Sequence, residues 1–183
     1  MARVLVPLAQ GCEELEAVTI IDLLRRANIE VITAGLDEEP VIASRGVILV
    51  PDTTLDKAVN QQFDMIALPG GLPGADNLNL DQRVHNLLKE MAADGKYTVA
   101  ICAAPKVLAT AGLLDGKNAT SFPGTLEKLQ LANTTLVTDS VVQDGKIITS
   151  RGPGTAIDFA LALIENLSGT EKRKEVEAGL QRL

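Results

Sequence analysis

Cys102 is the residue with the clearest chemical meaning, because it stands between the run Tyr97-Thr98-Val99-Ala100-Ile101 and the segment Ala103-Ala104-Pro105. The first run has the β-branched and aromatic content of a buried strand, and residues Ala104 to Ala111 read as a helix with Pro105 at its first position. A sulfur in such a strand-to-helix turn faces free backbone N–H groups and the positive end of a helix dipole. Both favour thiolate over thiol, so the turn predicts a reactive nucleophile of lowered pKa. The competing reading is a small buried apolar residue in a plain connection.

Carboxylates supply the natural partner. Glu13, Glu14 and Glu16 crowd the start of a helix, where acidic side chains favour the macrodipole whatever else they do. A carboxyl that reached the thiol in a desolvated pocket would have a raised pKa, would donate a hydrogen bond to the thiolate and would shuttle a proton. Gly70-Gly71, placed after the apolar run Met65–Leu68, brings backbone close to a ligand with no Cβ in the way. With the Ala103 N–H, these amides read either as an oxyanion site or as an ordinary glycine turn. Arg45 and Arg151 are candidates for binding an anionic substrate group, with surface roles as the alternative. Cys12 is either a resolving thiol or a small loop residue.

Other chemistries are disfavoured. His85 is the single histidine, and it flanks the apolar stripe Val84, Leu87, Leu88 and Met91 of an amphipathic helix, where it reads as a surface or boundary residue. A cysteine–histidine pair would have to recruit it from mid-helix, and a histidine-built zinc site fails for the same reason, so no metal is expected. Gly70-Gly71-Leu72-Pro73-Gly74 lacks the Gly-Lys-Ser/Thr ending of a phosphate loop, and the dinucleotide fingerprint is absent, so no cofactor is expected. A net charge of −7 with no Trp and one Tyr argues against nucleic acid as a partner, and Lys172-Arg173-Lys174 reads as a solvated helix face. No apolar stretch approaches the roughly 20 residues of a membrane span. Two widely separated cysteines behind a start with no signal peptide point to the cytoplasm.

The elements that must position these residues alternate in βαβ rhythm. Strands are expected at Val4–Leu8, Glu30–Ala34, Met65–Leu68, Tyr97–Ile101, Ala119–Phe122, Leu136–Thr138 and Lys146–Ser150. Helices are expected near Glu13–Ala27, around His85, over Ala104–Ala111, near Thr125–Leu131, over Thr155–Leu167 and over Thr170–Leu183. Val41–Ala43 and Val47–Val50 look like a small antiparallel hairpin. The pattern predicts one α/β domain over residues 1–183, a mainly parallel sheet with helices on both faces. In such sheets sites form beyond the carboxyl ends of strands. Gly11–Glu16, Pro69–Gly74, Cys102 and Arg151–Thr155 all fall at such ends, where one crevice can collect them.

Four motifs, Gly11-Cys12-Glu13-Glu14-Leu15-Glu16, Leu68-Pro69-Gly70-Gly71, Ala100-Ile101-Cys102-Ala103-Ala104-Pro105 and Ser150-Arg151-Gly152-Pro153-Gly154-Thr155, together resemble the ThiJ/PfpI superfamily. The likeness is to the branch of the Parkinson-disease-associated deglycase and bacterial YajL, and it runs over nearly the whole chain. It implies a flavodoxin-like three-layer sandwich, a homodimer, a Cys102 nucleophile, a protonated Glu16 donating to it, and oxyanion amides at Gly71 and Ala103. Gly70, Arg45, Arg151 and Pro153 become candidate substrate-pocket residues. The implied activity is a cofactor-free glyoxalase or deglycase acting on methylglyoxal, glyoxal and their early protein adducts, with protection against carbonyl and oxidative stress. The alternative implied role is a redox-responsive chaperone whose cysteine is oxidised to sulfinate without turnover. Two departures matter. Phe122 stands where human-like members carry histidine, and Ala103 stands where the peptidase branch does, which disfavours proteolysis. Class I glutamine amidotransferases need flanking glycines and a histidine–glutamate pair, which this chain lacks.

Overall fold

The computed structural model describes residues 1–182. β1 (Arg3–Leu8) leads into α1 (Glu14–Arg26) and β2 (Glu30–Gly35). A hairpin of β3 (Val41–Ile42) and β4 (Ile48–Leu49) follows, then β5 (Thr53–Thr54) and the single turn α2 (Leu55–Ala58). β6 (Met65–Leu68) precedes α3 (Leu72–Leu80) and α4 (Gln82–Ala93), and β7 (Tyr97–Ile101) precedes α5 (Pro105–Thr110). The short strands β8 (Asn118–Ala119) and β9 (Thr135–Leu136) pair with each other. β10 (Val141–Asp144) and β11 (Ile147–Ser150) then lead to α6 (Ala156–Ser168) and α7 (Thr170–Gly179).

Seven strands form the main sheet in the order β10-β11-β7-β6-β1-β2-β5, parallel throughout except for the antiparallel edge pair β10–β11. Both faces are covered, as continuous burial of Met65–Leu68 and Val99–Ile101 requires. The chain steps from β1 to β2 in one direction and from β6 to β7 in the other, so right-handed crossovers put α1 and α4 on opposite faces. α6 packs on α1, and α7 on α6, thickening the first layer, while α3 packs on α4 and α5. This is the expected flavodoxin-like architecture, with the small antiparallel hairpin at β3–β4.

Several elements differ from expectation. α3 was not foreseen, because Pro73 and Gly74 look like loop chemistry. Pro73 sits in the first turn, where its missing N–H costs nothing. Gly74 is required because a Cβ there would lie 2.5 Å from the Cys12 Cα. β5, α2 and the edge strand β10 were also too short to carry a period. The expected strand Ala119–Phe122 shrinks to two residues, and the helix near Thr125–Leu131 to a 3₁₀ turn at Glu127–Leu129. The last helix ends at Gly179, and the expected end at Leu183 lies outside the described residues. His85 is buried rather than a surface residue, because α4 packs against the end of α3. Its Nε2 lies 2.8 Å from the Asn79 carbonyl. Among the described residues no helix is long and apolar enough to cross a membrane.

The sheet order places four chain exits side by side. Register pairs Leu68 with Ala100 and Ile101 with Ser150, so the segments after β6, β7 and β11 leave the sheet at one level. β1 pairs with β6 only at Val4 and Leu5. Pro7 therefore lies past the last β6 partner, where its missing donor interrupts no ladder between those two strands.

Candidate active site

Cys102 leaves β7 with φ +64, a left-handed conformation that non-glycine residues adopt at a cost. The pivot is held from both sides. Its N–H donates to the Ser150 carbonyl at 2.9 Å, and its own carbonyl accepts from the Phe122 N–H at 2.8 Å. Ala104 N–H closes the turn on the Ile101 carbonyl, and Pro105 opens α5 behind it. The side chain is 8% exposed, so the sulfur is reachable only through a narrow opening.

Glu16 lies in the first turn of α1 and is fully buried. Its Oε2 accepts from the Gly70 N–H at 2.8 Å, while Oε1 is buried without a conventional partner. The group coupled to this carboxyl is the Cys102 thiol. Burial pushes the Glu16 pKa up to about 7, against the lowering effect of hydrogen bonds from Cys102 and Gly70. The acid is therefore half-protonated near neutrality.

The thiol departs from the sequence expectation. Burial first, then the charge of Glu16 and its hydrogen bond, push Cys102 up to about 12. Backbone N–H groups of Gly71 and Ala103 act in the expected direction but do not outweigh those terms. Two of the three raising causes belong to an ionised Glu16, so carboxyl and thiol behave as one proton-sharing pair rather than as an isolated low-pKa sulfur. The two amides expected at an oxyanion are the backbone groups that favour an ionised sulfur here.

Glycines make this seam possible. A Cβ on Gly70 would lie 2.6 Å from the Cys102 Cβ, and one on Gly71 would lie 2.5 Å from the Gly11 carbonyl oxygen. Gly71 also has φ +88 as it turns into α3. The loop Gly11–Glu13 thus packs directly on Gly70–Gly74, with the Glu13 N–H donating to the Gly70 carbonyl at 2.9 Å.

The remaining acids divide between tasks. Glu14 accepts from Ser44 Oγ and from the backbone N–H groups of Arg45 and Val47, which pins the β3–β4 turn to α1. Glu13 accepts from the same Ser44 hydroxyl at 2.7 Å. Against its own partial burial, the hydrogen bonds to Glu14 hold that carboxyl below its ordinary range.

Other expected residues fall at varying distance from the sulfur. Arg45 has an exposed guanidinium whose hydrogen bond goes to the Ser44 carbonyl, and it makes no contact with Cys102 or Glu16. Arg151 donates through Nη1 to the Thr138 carbonyl at 2.9 Å, beside a cavity of about 150 Å³ lined by Thr120, Ser121 and Pro123. It fixes the preceding loop rather than reaching the thiol. Pro153 begins the short turn after Gly152 and is partly exposed. Cys12 is fully buried, with its thiol pushed up to about 12 by burial and by Glu14 and Glu13. A cavity of about 510 Å³ lies at the other end of the strands beside Phe63, Met91 and Lys96.

Two neighbours of the sulfur were not singled out from the sequence as site residues. A Cβ on Gly152 would lie 3.9 Å from the Cys102 Sγ and 3.3 Å from the Phe122 ring. Gly152 was legible only as part of the Arg151–Thr155 turn. Phe122 comes from a loop whose backbone bond to Cys102 no local pattern announces.

The model of the DJ-1/PfpI family matches residues 2–166. Protein dj-1beta of Drosophila melanogaster is 47% identical over 179 residues, covering 96% of this chain and 95% of that protein. The crystal structure of the Drosophila protein superposes with a TM-score of 0.94 at 46% identity, covering 100% of this chain and 98% of that one. The glutathione-independent glyoxalase DJR-1.2 of Caenorhabditis elegans is 37% identical, covering 93% of this chain and 90% of that protein. The chain spans 45% of the length of protein DJ-1 homolog A of Arabidopsis thaliana, to which it is 45% identical over 177 residues.

Proposed function

The chain belongs to the DJ-1/PfpI family, and on that premise we propose that it is a cofactor-independent glyoxalase and deglycase whose nucleophile is Cys102. The single observation that carries this reading is the pairing of a fully buried Glu16, with a pKa near 7, against a cysteine in a left-handed turn. Such a pair can arm a sulfur and move a proton without histidine. The glyoxalase named in Caenorhabditis elegans, at 37% identity, supports the same class of reaction.

The step sequence follows from where the proton sits. With one proton on the pair, transfer from Sγ to Glu16 gives thiolate beside neutral acid, the reactive tautomer. The sulfur adds to the aldehyde carbon of methylglyoxal, a C–S bond forms, and the carbonyl electron pair moves to oxygen. The Gly71 and Ala103 amides follow the charge from sulfur to this new alkoxide, and Glu16 protonates it. The Glu16 carboxylate then removes the hydrogen of that carbon as a proton, leaving an enediolate whose negative charge lies on the former ketone oxygen. Return of the proton to the neighbouring carbon leaves a lactoyl thioester, the hydroxyl proton passing between the two oxygens. Water hydrolyses the thioester to lactate and restores the thiol. One carbon is oxidised as its neighbour is reduced, so no outside electron carrier enters. Glyoxal gives glycolate by the same route. An early protein adduct enters when Cys102 displaces the protein's thiol or amine, which departs with the Glu16 proton.

The test is lactate formation from methylglyoxal by purified protein, alongside Cys102→Ser and Glu16→Gln. Loss of turnover in both variants, with circular dichroism unchanged, is the expected outcome. Wild-type rates in Cys102→Ser would remove the proposal. A homodimer is part of this reading. It is supported by Val18 of α1, together with Leu49 and Val50 of the hairpin, lining a common surface groove beside exposed Leu15, Val47 and Ile48. Sedimentation as a monomer at micromolar concentration would overturn that part.

A further inference from the structure

Phe122 is an aromatic ring left half-exposed, at 50%, beside the nucleophile. Its place is fixed rather than incidental. The Phe122 N–H is bonded to the Cys102 carbonyl, its own carbonyl accepts from the Thr125 N–H and the Ser121 hydroxyl, and its ring lies over Gly152. A Cβ on Gly152 would lie 3.9 Å from Sγ and 3.3 Å from the ring edge, so the ring packs on the Gly152 backbone beside the sulfur. An apolar group carried by a molecule bound to the sulfur would meet the exposed part of this ring.

Two apolar residues follow groups of the site in the chain. Leu72, 66% exposed, follows the Gly71 whose N–H favours an ionised sulfur, and Pro153 follows Gly152. The guanidinium of Arg151 is engaged with the Thr138 carbonyl. A charged or hydroxylated substituent held against the ring would lose water and gain no hydrogen bond from it.

We propose that Phe122 is a specificity-determining residue, the wall against which the non-reacting substituent of an α-oxoaldehyde packs. The preferred class is then α-oxoaldehydes with an apolar substituent on the ketone carbon. Phenylglyoxal and methylglyoxal are taken ahead of glyoxal, and hydroxymethyl- or carboxylate-bearing analogues come last. This rests on the glyoxalase reading. Apolar contacts of this size discriminate roughly 10-fold or more in kcat/KM.

Two measurements test it. In the first, kcat/KM for phenylglyoxal and for glyoxal is compared in wild type, Phe122→Ser and Phe122→Gln. The phenylglyoxal-to-glyoxal ratio is expected to fall about 10-fold in both variants and to be largely kept in Phe122→Leu. In the second, which needs no turnover, Cys102 is alkylated with phenacyl bromide and with iodoacetamide at matched pH, and the modified peptide is followed by mass spectrometry. The ratio of the two rates should fall in the same variants. If wild type turns over no oxoaldehyde, the glyoxalase reading fails while the alkylation ratio still judges the wall. If both ratios are unchanged in folded Phe122→Ser or Phe122→Gln, the role assigned to Phe122 is wrong.

Discussion

Gly70 occupies the seam between Glu16 and Cys102: a Cβ added to it would meet the Cys102 Cβ at 2.6 Å and Glu16 Oε2 at 2.7 Å. Acid and thiol pair only because a backbone, and no side chain, passes between them. Gly70→Ala must therefore push the two apart or displace β6, which is buried throughout. Loss of at least 100-fold in methylglyoxal turnover, with about 2 kcal/mol lost from urea unfolding, is the expected result. Retained turnover in Gly70→Ala would show that the seam is not where the chemistry occurs.

The shared proton predicts an unusual titration. From below Glu16's pKa of about 7 to above Cys102's of about 12, the pair passes from two protons to one and then to none. The alkylation rate of Cys102 should rise through about pH 7, level off, and rise again toward high pH. In Glu16→Gln the lower step should vanish, and the remaining thiol titration should move below about 12, because the charge that raised it is gone. Stopped-flow alkylation across pH 5–11 checks this, and a lower step that survives in Glu16→Gln contradicts it.

Stability should carry the same signature. The folded Glu16 pKa is raised above its ordinary 4.5, so its stabilising contribution is complete below pH 4.5 and is lost as pH climbs through about 7. Glutamine does not titrate. Relative to Glu16→Gln, the wild type should lose at most about 3 kcal/mol, or several degrees of Tm, between pH 4.5 and 8. Melting curves of both proteins at a series of pH values measure the gap, and a constant difference would mean that Glu16 is not buried as an ionisable group.

Backbone conformation at position 102 allows a separate test. With φ +64, alanine keeps the strain that cysteine bears, whereas glycine removes it. Cys102→Gly should exceed Cys102→Ala in stability by about 1 kcal/mol, although glycine is ordinarily the poorer choice in a folded chain. Chemical denaturation of the two inactive variants compares them directly, and the reverse order would mean that the turn relaxes when sulfur is lost.

The parallel sheet was readable in the sequence because its strands are short apolar runs at βα spacing, as in Val4–Leu8, Met65–Leu68 and Tyr97–Ile101. The elbow at Cys102 was readable because strand, cysteine and proline are contiguous. What the residues left open was which of three clustered glutamates faces the sulfur. All three favour the helix start equally, and only the fold sends Glu14 to the hairpin and Glu16 inward. The sign of the thiol shift was also out of reach, since local donors are visible in a sequence and burial is not. α3 was hidden by Pro73 and Gly74, residues chosen for close packing on Cys12 rather than for helix propensity. Phe122 was marked only by the resemblance, as the place where human-like members carry histidine, because its link to Cys102 is a main-chain bond across 20 positions.

That main-chain bond and its counterpart from Ser150 mean the sulfur is oriented by segments that follow it in the chain. A polypeptide that ends before residue 122 lacks both of these bonds. The backbone that sets the elbow is thus completed only when the C-terminal third of the chain has folded against it.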